Sequence, residues 1–143
     1  MAGGEPAGGA DGEIRSRPVM MWGFGPGDAA VVRRDVAAEA RRQGLTGGGC
    51  HDFVLAVYEG MANAVRHGGG YGRVRLWRAG GLLCCEISDD GPGIPARCLD
   101  RSRMPGHEGV GGRGLWLIAQ LSDKVSVETG EKGTVLRIAK IAS

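Results

Sequence analysis

The stretch VYEGMANAVRHGG, residues 57–69, decides the fold. Carried back to Phe53, it repeats apolar residues at helical spacing. Phe53, Ala56, Val57, Gly60, Met61, Ala64 and Val65 form one continuous stripe. That period predicts a helix over about 50–67 with one face on a core. Glu59, Asn63 and His67 stand four residues apart along one edge of it. At about 100° per residue, Glu59 and Asn63 lie roughly 90–130° from the centre of the stripe. They border the core, and His67 drifts closer to it. Two readings of this edge stand. In one, Glu59 is solvated, Asn63 bonds locally and His67 meets the negative end of the helix dipole. In the other, the edge faces a ligand. Asn is a mediocre helix former, and one beside a core needs a partner.

Outward from this helix, the remaining elements alternate simply. Residues 1–13, MAGGEPAGGADGE, are small and polar without periodicity, and read as a disordered tail. Residues 14–24 form a first strand, with Pro18 placing it at a sheet edge. GPGD opens a helix over about 27–43, ended by Gly44, and TGGG follows as a glycine turn. After the central helix, RVRLWRA and LLCCEIS are split by Gly80-Gly81, which reads as a hairpin. A short helix fits 113–121. KVSVET and TVLRIAKI, joined by GEKG, close the chain as a second hairpin. The fold class is α+β: a two-layer sandwich with helices on one face of a mixed, mainly antiparallel sheet.

Composition sets the bounds. A chain of 143 residues is one domain, here residues 14–143, and can bury a core without staples. A net charge of +2 gives no electrostatic case for nucleic acid or an anionic membrane. No apolar run approaches a membrane span, and the N-terminus lacks the pattern of a signal peptide. The four cysteines, Cys50, Cys84, Cys85 and Cys98, lack metal-ligand spacing. Cys84 and Cys85 are neighbours in a strand and point to opposite faces. They read as reduced structural thiols of a cytoplasmic protein.

Two loops carry chemistry. ISDDGPGIP, residues 87–95, sets two carboxylates at a strand end before two glycines. It reads as a turn, or as a ligand loop in which Asp89 accepts a hydrogen bond from an amino group. GHEGVGGRGLWLIAQL, residues 106–121, is a glycine loop running into a helix N-terminus, where free N–H groups bind phosphate. Gly109, Gly111 and Gly114 spell G-x-G-x-x-G, but no strand precedes them, so the dinucleotide fingerprint fails.

The joint order is specific: E-x-x-x-N on a helix, D-x-G-x-G after a strand, G-x-G-L opening a helix, then G-T before a last strand. On EGMANAVRHG, DDGPGIP, GGRGLWLI and GTVLRI, the chain resembles the GHKL ATPase superfamily of gyrase, the heat-shock chaperone ATPase, histidine kinases and MutL-type repair ATPases. Within it, the chain looks most like the stand-alone anti-sigma factor serine/threonine kinases of bacteria. The resemblance covers roughly residues 15–141.

That resemblance implies a Bergerat-type fold binding ATP and Mg²⁺. Asn63 would supply its oxygen to Mg²⁺, and Glu59 would be the catalytic base. Asp89 would hold the adenine amino group, with Gly91, Gly93 and Ile94 in the loop around the base. Asp90 would touch the ligand or bound water. Residues 96–112 would be the lid. Gly112, Arg113, Gly114 and Leu115 would bring backbone amides to the phosphates, and Thr134 would lie near the adenine. Implied partners are a sigma factor and an anti-anti-sigma protein, and homodimers are usual in the subfamily. Three alternatives stand behind it: an ATP-gated binding module without kinase activity; the catalytic domain of a histidine kinase, which needs a phosphoacceptor histidine on a dimerisation helix pair; and an unrelated glycine-loop protein that binds NAD or flavin.

Overall fold

The computed structural model describes residues 18–95 and 112–142. The tail at 1–13 and nearly all of the lid segment fall outside the described residues, as does Cys98. In chain order the elements are β1 (Met20–Phe24), α1 (Ala29–Arg42), α2 (Gly47–His67), β2 (Gly72–Ala79), β3 (Leu82–Asp89), α3 (Gly112–Leu121), β4 (Lys124–Gly130) and β5 (Gly133–Ile141). The strands form one five-stranded sheet in the order β1-β2-β3-β5-β4. Every pairing is antiparallel, so the sheet carries no parallel pair among the described residues. β1 lies at an edge, as Pro18 predicts.

Alternation along the strands makes the two layers. Val74 and Leu76 of β2, Leu83, Cys85 and Ile87 of β3, and Leu136 and Ile138 of β5 face one way and are buried. The helices cover that face. Phe53, Ala56, Val57, Met61 and Ala64 of α2 join the same core, together with Val32 and Val36 of α1 and Leu115 and Ile118 of α3. Gly60 lets α2 lie close to the sheet, since a side chain there would overlap Ile87 and crowd Leu136. The opposite sheet face has its own small cluster of Trp77, Cys84 and Ala139. Cys84 and Cys85 therefore do point to opposite faces, and burial pushes the Cys85 thiol well above its ordinary range, with Glu86 and Cys84 adding to the rise.

Three expectations change. Gly47, Gly48 and Gly49 are not a turn but the first turn of α2, which starts after an extended Thr46. Packing of Cys50 and Phe53 outweighs the poor helix propensity of glycine. The first strand begins at Met20, with residues 14–17 outside the described part. Val65 is 36% exposed, so the buried stripe stops at Ala64.

Candidate functional site

α2 carries Asn63 to its junction with α3. Asn63 is only 5% exposed. Its Oδ1 accepts a hydrogen bond from Arg66 Nη1 at 3.2 Å, while Nδ2 is buried with no partner among the described residues. The start of α3 closes over it. A Cβ on Gly114 would stand 3.2 Å from Asn63 Oδ1 and 3.3 Å from Nδ2. Glycine at 114 thus lets a helix N-terminus, with its unpaired N–H groups, sit directly on the asparagine. Gly112 and Arg113 lie in the same first turn, and Leu115 anchors it in the core. One turn before Asn63, Glu59 is half-buried. Among the described residues its carboxylate has no hydrogen-bond or ion-pair partner.

The other half of the site gathers on Asp89. It ends β3 on the helix-covered face and is 8% exposed. Gly91 N donates to Asp89 Oδ1 at 2.9 Å. The end of α2 presses on this carboxylate: a Cβ on Gly68 would overlap Asp89 Cγ and Oδ2. A Cβ on Gly91 would in turn overlap the Gly68 backbone, and one on Gly133 the Asp89 carbonyl. Three glycines from separate segments therefore meet around one acid. Thr134 stands opposite Asp89 in the β3–β5 register and is 5% exposed. Its hydroxyl lies 2.7 Å from that of Thr129, which also accepts from Ile94 N at 2.8 Å. Gly93 turns the intervening loop with a φ of +98°, in the region that favours glycine. A shallow depression of about 500 Å³ at the strand ends is lined by Asp89, Thr129 and Thr134 together with Arg73, Ser88 and Glu128, which belong to the sheet face away from the helices.

Two groups result. Asn63, Glu59 and Gly114 stand at the junction of α2 and α3, and Asp89, Gly91, Ile94, Thr129 and Thr134 stand beside Gly68 at the end of α2. The depression at the strand ends is lined by members of the second group and not by Asn63 or Glu59. Asp90 sits differently. It is exposed, and its carboxylate accepts from both Nη atoms of Arg73 at 3.2 and 3.3 Å, on the sheet face opposite Asp89. Sequence reasoning missed Gly68, Thr129 and Gly133. The symmetric spacing of Thr129 and Thr134 about the GEKG turn was the signal for the threonine pair. A separate groove of about 540 Å³ lies between α1 and the N-terminal half of α2, lined by Arg33, Leu45 and His51 among others. It shares no residue with this site.

The donor set tests whether Mg²⁺ fits. No group of three or more His, Cys, Asp or Glu side chains able to hold a metal occurs among the described residues. A cage made by the protein is excluded there. A single amide oxygen at Asn63 suits an ion that keeps waters and takes its other ligands from phosphate.

Such a site on such a sheet defines an ATPase-type fold. A sequence profile described as "Histidine kinase-like ATPase domain" matches residues 25–140, and the chain belongs to that family. Its domain is of the nucleotide-binding, kinase type. No curated protein matches the chain. Among solved structures it is similar to the histidine kinase domain of the Erythrobacter litoralis EL346 blue-light activated histidine kinase, at 19% identity and a TM-score of 0.54, over 80% of this chain and 64% of that one. The EL346 blue-light activated histidine kinase itself gives 21%, 0.55, 80% and 42%. The Acinetobacter baumannii histidine kinase AdeS gives 13%, 0.52, 94% and 72%. At these identities the likeness concerns the fold. The chain spans 64% and 42% of the first two relatives. No helix among the described residues is long and apolar enough to cross a membrane.

Proposed function

We propose that the chain binds ATP with Mg²⁺ and transfers the γ-phosphoryl group to a serine or threonine of an anti-anti-sigma partner, while also sequestering a sigma factor. The observation that carries the nucleotide reading is Asn63. It is a buried amide in mid-helix, with an unpartnered Nδ2, capped by a glycine at a helix N-terminus. A buried polar group left unpaired in this way has a functional explanation more readily than a structural one. The anti-sigma assignment rests on the sequence phrases alone.

In this reading Asp89 accepts from the adenine amino group through the oxygen that Gly91 leaves open. Gly91, Gly93 and Ile94 shape the loop around the base. The amides of Gly112, Arg113, Gly114 and Leu115 face the phosphates, and Asn63 would hold Mg²⁺, which supplies charge neutralisation. The acceptor hydroxyl attacks the γ-phosphorus, the bond to the β–γ bridging oxygen breaks, and ADP departs. Glu59 takes the hydroxyl proton. Positioning and charge do most of the work in such transfers. Asp90, paired with Arg73, orients the loop from outside.

Glu59→Ala should retain ATP binding and lose transfer of labelled phosphate to the partner. Normal transfer by that variant overturns the base assignment. A second reading, nucleotide-gated binding without transfer, is favoured by one contact. Arg66 occupies the Asn63 oxygen that Mg²⁺ would need. Incubation with ATP-Mg and candidate partners, followed by a mass search for phosphoserine or phosphothreonine, separates the two.

A further inference from the structure

The groove between α1 and the N-terminal half of α2 has a lining sorted by chemistry. Its floor and walls are apolar: Ala37 of α1, Leu45 of the connection, and Cys50, Val54 and Leu55 of α2. Leu45 and Cys50 are buried, while Ala37, Val54 and Leu55 are half-buried and leave apolar surface open. The connection between the two helices, residues 43–46, closes one end. Polar donors converge there. Arg41, in the last turn of α1, lines that end together with Thr46, Gly47 and His51 at the start of α2. Among the described residues the Arg41 guanidinium has no hydrogen-bond or ion-pair partner. Among the same residues, no carboxylate lines the groove. The nearest acids in sequence are engaged elsewhere. Glu39 accepts from Arg42 and Gln43, and Asp52 pairs with Lys140 at 3.7 Å and with His51 at 3.8 Å. At the other end, Arg33 lies 5.1 Å from the centroid of the Tyr58 ring, which does not line the groove. Its guanidinium is drawn outward, and its methylene stem extends the apolar wall.

We propose that this groove is a second binding site, for a small anionic amphiphile such as a medium-chain carboxylate, with the acid head at Arg41 and the chain along Ala37, Val54 and Leu55. A mostly apolar pocket with a few convergent polar groups is the usual form of a small-molecule site. Its volume of about 540 Å³ lies within the roughly 300–1,000 Å³ of such sites. The unpaired guanidinium at the closed end sets the direction of the ligand. A carboxylate there gains a charge-assisted, forked pair of hydrogen bonds. The chain then leaves along the helices. Arg41 and Arg33 stand two turns apart on α1, about 12 Å, which is near the length of a ten-carbon acid. A partner helix fits less well, because a helix lying lengthwise needs both ends open and residues 43–46 close one. The inference does not depend on the nucleotide reading, since the two sites have no residue in common.

The test is calorimetric titration of the full chain with octanoate, octanol and octyltrimethylammonium, each below its micelle concentration, with methyl NMR shifts to locate the binding. Octanoate should bind about tenfold or more tighter than octanol, the share of one charge-assisted hydrogen bond. It should shift the methyls of Leu45, Val54 and Leu55. The cation should bind weakest. Arg41→Gln should remove the preference for octanoate and leave octanol binding as it was. Each methylene added from hexanoate to decanoate should tighten binding about two- to fourfold, and chains longer than the groove should gain no more. Ala37→Phe, which fills the groove, should abolish binding of octanoate and octanol, with a cooperative thermal transition as the check on folding. Equal affinity for octanoate, octanol and the cation overturns the proposal, since apolar surface alone gives that result. So does an undiminished preference in Arg41→Gln, or a set of shifts confined to other parts of the protein. A wild type that does not bind octanoate overturns it outright. A dimer that Ala37→Phe breaks, seen by sedimentation, then names a second copy as the occupant, and binding of an amphipathic leucine–glutamate peptide names a partner helix.

Discussion

Replacing Asn63 with Ala should separate a residue kept for a ligand from one kept for the fold, because the two roles predict opposite signs for stability. Among the described residues the buried Nδ2 has no acceptor, a state that costs about 1–3 kcal/mol. Ala removes that cost and gains about 0.5 kcal/mol of helix propensity. Against this stands the bond from Arg66, worth about 0.5–1.5 kcal/mol. The lower end applies, because Arg66 is exposed and its guanidinium rehydrates. Lost packing of the amide carbon costs roughly another 0.8 kcal/mol. The unliganded variant should therefore be about 0.2–2 kcal/mol more stable than wild type in urea denaturation. With ATP-Mg at about one hundred times its Kd, wild type gains about 2.7 kcal/mol. That is a rise in Tm on the order of 10 °C. Asn63→Ala should lose most of the Mg²⁺-dependent part. If the unliganded variant is instead destabilised by more than about 1.5 kcal/mol, the usual outcome for a hydrogen-bonded buried amide, Asn63 serves the fold. A magnesium-dependent shift of normal size in the variant refutes the ligand role directly.

Other outcomes follow from single contacts. Gly91→Ala places a methyl into the Gly68 backbone, and should cost about 1–3 kcal/mol in denaturation and weaken ATP binding more than tenfold by calorimetry. Burial raises the Glu39 carboxyl, but hydrogen bonds from Gln43 and Arg42 outweigh it and hold it below the ordinary range. Its contribution is therefore fully present above the unfolded pKa, near about pH 4.3, and is lost as pH falls through the lower folded value. Denaturation of Glu39→Gln against wild type should show a deficit at pH 7 that closes in acid. In mass-spectrometric alkylation of the native chain, Cys85 should stay unmodified until the protein is unfolded, since burial keeps it in the thiol form.

Much of the architecture was legible because it rests on period alone. The stripe from Phe53 to Ala64, the alternation that splits Cys84 from Cys85, and the two hairpin turns at Gly80-Gly81 and Glu131-Lys132 all report which face is buried. What sequence did not show depends on approach between segments distant along the chain. Gly47 to Gly49 read as a turn, since nothing local reveals that Cys50 and Phe53 pull the helix start back to Thr46. Gly68 reads as an ordinary helix stop. Its role as the surface on which Asp89 and Gly91 pack emerges only when β3 is laid beside the end of α2. Asp89 and Asp90 are indistinguishable by residue type, and only strand alternation sends one into the site and the other to Arg73.

The same contacts explain why the site's parts must occur together. Asp89 can approach α2 only because residues 68 and 91 lack side chains, and β5 can begin beside it only because residue 133 does. Glycine at these positions adds conformational entropy to the unfolded chain, and Asn63 adds an unpaired buried amide. Gly133, at a φ of +137°, is the residue that its backbone favours, but the unpaired amide is a cost to the unliganded fold. In the nucleotide reading, a bound ligand would supply a partner to Asn63 and fill the space the glycines keep open. A fold optimised only for its own stability would carry Ala at 114 and an apolar residue at 63, and the departure from that choice at both positions, on facing elements, is the physical content of the nucleotide reading.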